Sequence, residues 1–125
     1  MNLFLDTHVL LWWLDDNPVL SERARSAIAD PGNLVILSSV VTWEIRTKQA
    51  LGKLKIPSDF YNVIKNQGFE FLSITSDHAY AVGDIPMHHR DPFDRMIISQ
   101  AKLEGLTVVT HDSIFKEYGI SVLEA

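Results

Sequence analysis

No cysteine occurs among the 125 residues, which removes disulfides, thiolate metal sites and cysteine nucleophiles together. Positive charge is also scarce: 11 Lys and Arg face 16 Asp and Glu, a formal net charge of −5. That balance argues against binding nucleic acid through overall basicity, because such binding draws on counterions released by Lys and Arg. It leaves room for a local basic rim around acids gathered in one place. Long apolar runs are missing as well. The stretch from Val9 to Leu14 is much too short for a membrane span, is followed by Asp15 and Asp16, and has no basic segment ahead of it. The expectation is a soluble, cytoplasmic protein with no membrane segment. Internal repeats, linkers and low-complexity tracts are absent too, and 46% apolar with 22% charged residues suits a single domain over residues 1–125 with one core.

What is present alternates short apolar runs with helical patterns. Asn2-Leu3-Phe4-Leu5 reads as a buried strand ending abruptly at Asp6-Thr7, and His8 to Leu14 as a helix apolar nearly all round. Trp12 and Trp13 cannot both hide against one sheet, so part of that surface is expected to meet a partner. Ser21 caps a second helix. Leu34 to Leu37 is a second continuous strand, with Ser38-Ser39 capping a helix from about Val40 to Leu51 that Gly52 ends. Pro57-Ser58 opens a fourth helix, and Phe69 to Ile74 is a third strand. Ser76-Asp77 caps a fifth helix from His78 to about Asp84. The sixth is the best marked: Asp91 as N-cap, Pro92 at the first helical position, and a run to about Glu104 before Gly105. Leu106 to Val109 is a fourth strand, and a short helical turn from Ser113 to Tyr118 precedes a last strand around Ile120 to Leu123. Strands apolar on both faces and separated by helices specify a parallel sheet covered on both sides.

In such sheets functional groups gather beyond the carboxyl ends of the strands, at the topological switch point. Four acids meet that condition: Asp6 after the first strand, Glu44 early in the helix after the second, Asp94 in the first turn of the sixth helix, and Asp112 after the fourth strand. An acid in a first helical turn also complements the helix dipole, by roughly 0.3–1 kcal/mol, which alone would explain Asp94. Four converging carboxylates need more. They repel one another unless some protonate or a cation neutralises them, and oxygen donors without Cys suit Mg2+ or Mn2+. Such an ion lowers the pKa of water and stabilises charge developing on a phosphodiester.

Leu5-Asp6-Thr7-His8, Glu44, His89-Arg90-Asp91-Pro92-Phe93-Asp94-Arg95 and Thr110-His111-Asp112, in that order over essentially the whole chain, resemble the PIN domain, and most closely the VapC-type toxins of bacterial toxin–antitoxin pairs. The resemblance implies a three-layer α/β/α sandwich with a central parallel sheet and a metal-dependent endoribonuclease. It further implies frequent homodimers and inhibition by a VapB-type antitoxin that occupies the active-site groove. Carried over, Asp6, Glu44 and Asp94 match the three core acids and Asp112 the more variable fourth, as catalytic and metal-holding residues. Thr7 and Thr110 are candidates to support them.

His8 is a further candidate for touching RNA or metal. The chain departs from an all-oxygen site in having His8, His88, His89 and His111 near its motifs; the adjacent pair in a polar loop reads as solvent-facing. Lys48 shares the helical face of Glu44 while Arg46 points away, so Lys48 is the better phosphate-binding candidate, and Arg90 and Arg95 flank the site in sequence. Each also reads as a solvated surface charge. Two other readings compete. Asp6 could be a phosphoryl-accepting nucleophile of a phosphatase or receiver domain, but His8 stands where the phosphatase pattern wants a second Asp. A non-enzymatic interaction module built on Trp12 and Trp13 leaves Glu44 and the strand-exit acids unexplained.

Overall fold

The computed structural model describes residues 1–125. Its elements are β1 (Asn2–Leu5), α1 (Thr7–Leu14), α2 (Glu22–Ala29), β2 (Leu34–Ser38), α3 (Ser39–Ala50), α4 (Phe60–Lys65), β3 (Glu70–Leu72), α5 (Ser76–Ala81), α6 (Pro92–Glu104), β4 (Thr107–Thr110) and β5 (Val122–Glu124). Short 3-10 turns cover Val82–Asp84 and Ser113–Tyr118. The five strands are all parallel, in the order β3-β2-β1-β4-β5.

Successive strand residues point to opposite faces, yet Leu3, Phe4 and Leu5 are all fully buried, as are Val108 and Val109. Both faces of the sheet are therefore covered. The chain moves outward from β1 through β2 to β3, then returns past β1 to β4. Right-handed crossovers place the helices of these two halves on opposite faces, giving the three-layer α/β/α sandwich. The reversal makes the ends of β1 and β4, where Leu5 pairs with Val109, the topological switch point of the sheet.

Several element ends differ from the sequence reading, each for a local reason. The fifth helix starts at Ser76 rather than His78, because Thr75 is the cap: its hydroxyl accepts from the His78 N–H while Nδ1 of His78 accepts from the Thr75 N–H. That helix ends at Ala81, and Val82–Asp84 tightens into the 3-10 turn. Helix α4 begins only at Phe60, with Asp59 at its cap position making no side-chain bond. β3 is shorter than expected and leaves Phe71 exposed, as befits an edge strand paired on one side only. Helix α6 follows the expectation closely: Oδ1 of Asp91 accepts from the N–H groups of Phe93 and Asp94, a cap worth about 1 kcal/mol, and Gly105 closes the helix at φ 66°. No helix is long and apolar enough to cross a membrane.

Candidate metal centre

The four acids arrive from four elements. Asp6 follows β1 and caps α1, its Oδ1 accepting from the Val9 N–H at 2.9 Å. Glu44 lies in the second turn of α3, buried despite its charge. Asp94 occupies the first turn of α6, positioned by the Asp91 cap and Pro92. Asp112 follows β4 and caps the 3-10 turn through Oδ1, which accepts from Ile114.

Two threonines and a histidine connect them. Thr7 donates to Oε1 of Glu44 at 2.6 Å. Thr110 donates to Oδ2 of Asp6, and its oxygen accepts from the Asp112 N–H at 3.0 Å. Nε2 of His89 lies 2.9 Å from Oδ2 of Asp94 and is hydrogen-bonded at 3.1 Å to Oδ2 of Asp112. The donor atoms of His89, Asp94 and Asp112 all fall within 4.8 Å of one another.

The electrostatics reflect crowded negative charge. Burial pushes the Asp6 carboxyl above its ordinary range, opposed by the Thr110 and Val9 hydrogen bonds, with Glu44 adding to the rise. Asp94 is pushed up to about 7, by burial first and then by the charge of Asp91, with Glu44 and Asp6 contributing and His89 opposing. Lys48 compensates Glu44: its ammonium lies 2.5 Å from Oε2, and that hydrogen bond raises the ammonium's proton affinity. Oxygen donors with a surplus of negative charge and no thiolate are what a hard divalent ion takes, so the residues present fit Mg2+ or Mn2+.

The remaining sequence candidates divide. Lys48 shares the face of Glu44, and Arg46 turns away to Gln49. His8 is exposed, 6.0 Å between ring centroids from Trp12, and near enough to Asp6 to favour its charged form. Arg95 is the correction. Its guanidinium is buried and donates to the carbonyls of Val82, Ile85, Pro86 and His89, so it pins the loop before α6 and is not presented to a phosphate. A flank position in sequence carried no information about that inward turn. His89 is the opposite case: it is half-buried against the acids, while His88 stays exposed with its ring edge-on to Tyr118. Only the loop's path separates these two neighbours.

Carboxylates whose chemistry fits a divalent ion thus gather at the switch point of a parallel α/β sheet. The model of one family, the PIN domain, matches residues 3–120, and the chain belongs to that family. Among solved structures it is similar to VapBC2 from Rickettsia felis bound to a promoter DNA fragment, with 18% identity, a TM-score of 0.76, and 99% of this chain and 98% of that one covered. DNA-bound VapBC from Salmonella typhimurium is similar at 22% identity and a TM-score of 0.75, again covering 99% and 98%. VapBC-1 from nontypeable Haemophilus influenzae follows at 15% identity and 0.68, with the same coverage. Comparison with curated proteins finds no match.

Proposed function

We propose that this chain is a metal-dependent endoribonuclease, the VapC-type toxin of a toxin–antitoxin pair. The observation that carries the reading is the convergence of Asp6, Glu44, Asp94 and Asp112 at the switch point of the sheet, where burial and neighbouring carboxylates raise the proton affinities of Asp6 and Asp94. PIN membership and the likeness to VapBC complexes support the toxin assignment.

Asp6, Glu44, Asp94 and Asp112 would hold Mg2+ or Mn2+. The ion supplies a lowered pKa for attacking water and neutralises charge on the phosphodiester. The chain's own part is placement. Thr7 and Thr110 fix the rotamers of Glu44 and Asp6, the α6 cap fixes Asp94, and Lys48 pairs with the buried Glu44 carboxylate. Asp6 is poorly suited to the phosphoryl-acceptor reading, since both its oxygens already accept hydrogen bonds in a buried setting.

The partner side of the reading rests on an apolar groove formed by Leu11, Trp12, Leu14, Leu54, Ile56 and Phe60, which suits a VapB-type antitoxin segment or the second subunit of a homodimer acting in the cytoplasm. The test is direct. Purified protein is expected to cleave RNA with Mg2+ or Mn2+, to stop with EDTA, and to lose cleavage in Asp94→Asn. Cleavage that persists without metal would overturn the reading.

A further inference from the structure

The His89 imidazole touches both Asp94 and Asp112, and nothing in the four-acid reading gives it a task. Its surroundings hold it from every side. The His89 N–H donates to the Tyr118 hydroxyl oxygen at 2.6 Å, its carbonyl accepts from Nη1 of Arg95 at 3.1 Å, and its ring stands edge-on to Phe115 at 5.9 Å between centroids. The Asp91 N–H donates to Nδ1 at 3.3 Å. This last contact determines what Nε2 can do. An Nδ1 that accepts a hydrogen bond carries no proton, so the proton of a neutral ring sits on Nε2.

The geometry points to His89 as the positioning residue of the metal centre: its Nε2 is hydrogen-bonded to Oδ2 of Asp112 and lies 2.9 Å from Oδ2 of Asp94, so that one ring holds two acids from different elements at one spacing. This rests on the metal-centre reading above and adds a residue to it. Asp94 belongs to α6 and Asp112 to the exit of β4; no direct backbone bond joins those two side chains, so their spacing depends on what lies between them. A ring in this role cannot ligate the ion through Nε2, because ligation needs the lone pair that the proton occupies. The arrangement also gives the buried Arg95 and Tyr118 a shared purpose. Both grip the His89 backbone and so aim its ring.

The test compares the full-length wild type with His89→Ala and His89→Gln, the latter offering an amide N–H in place of Nε2–H. Mn2+ binding is followed by the EPR signal of the free ion, and RNA cleavage by kcat and KM. Positioning groups of this kind typically set metal affinity or activity by roughly 10–100-fold. His89→Ala is therefore expected to weaken Mn2+ binding at least about tenfold and to lower kcat with KM for RNA unchanged, and His89→Gln to recover most of both. Unchanged or tighter Mn2+ binding in His89→Ala overturns the assignment. A second arm needs neither metal nor variant: long-range 1H–15N correlation on the metal-free wild type reads the ring tautomer. Protonated Nε2 with bare Nδ1 supports the assignment; the reverse tautomer, which would free Nε2 for direct ligation, overturns it even if His89→Ala fails to fold. Wild-type protein that binds no Mn2+ while showing the Nε2–H tautomer refutes the metal centre and leaves the bridge between the two acids standing.

Discussion

The Thr110 hydroxyl at the end of β4 donates to Oδ2 of Asp6, the residue that follows β1, a contact between residues 104 apart in sequence at the ends of neighbouring parallel strands. Both residues are buried, so the bond fixes the orientation of the Asp6 carboxylate. Thr110→Val keeps the shape and deletes the hydroxyl. It strands a buried carboxylate oxygen and the Asp112 N–H, and is expected to cost about 1–3 kcal/mol of stability together with most of the activity. Urea titration of the variant measures the first, and RNA cleavage the second. A variant as stable and active as the wild type would show that Asp6 does not depend on Thr110.

Asp94 carries the pH dependence. Its carboxyl rises from an ordinary 3.8 to about 7, so between those values the folded metal-free protein holds a proton that the unfolded chain releases. More protons in the folded state means that stability falls as pH rises through this window. Divalent ions reverse the sign, because they require the ionised form. The increase in Tm on adding Mn2+ is expected to grow as pH climbs through about 7, and melting curves at matched pH with and without Mn2+ read it out. An increment independent of pH would remove Asp94 from the metal site.

Asp94→Asn separates structure from chemistry. The amide keeps the volume and relieves the repulsion from Asp91, Glu44 and Asp6, so the variant is expected to melt no lower than the wild type in metal-free buffer while losing cleavage. Loss of both fold and activity would mean that Asp94 is needed for more than its charge.

Arg95 should behave in the opposite way. Its guanidinium satisfies four carbonyls in a buried position, and Arg95→Ala strands them. A loss on the order of 3 kcal/mol is expected, with Arg95→Lys recovering little because a compact ammonium cannot match the guanidinium fork. Thermal denaturation with the two variants side by side provides the check. A wild-type Tm in Arg95→Ala would show that the loop is held by other contacts.

Trp12 lines the apolar groove beside Leu54, Ile56 and Phe60, and its ring packs against His8 and His111. Trp12→Ala is expected to weaken antitoxin binding or self-association by at least tenfold, as truncation of a buried aromatic anchor does, with cleavage by free protein retained. Titration calorimetry with the cognate antitoxin and sedimentation of the protein alone distinguish the two associations; wild-type values in both would clear this groove of either role.

Much of this protein could be read from its residues in order. The strand at Asn2–Leu5, the Asp91-Pro92 helix start and the order of the four acids are local patterns, because caps, turn chemistry and apolar runs act over a few residues. The parallel sheet follows from strands buried on both faces. Other features came only with tertiary structure. Whether a histidine in the 88–90 loop meets solvent or two carboxylates depends on where that loop crosses the ends of β4 and α6, and sequence spacing carries no record of it. The same holds for Arg95, which resembles a phosphate-binding cation until the carbonyls of Val82, Ile85, Pro86 and His89 converge on it. Residue type and local spacing determined which groups this protein has available. Contacts beyond the reach of a cap or a single strand, from the loop before α6 closing on Arg95 to the pairing of Asp6 with Thr110, decided which of them meet.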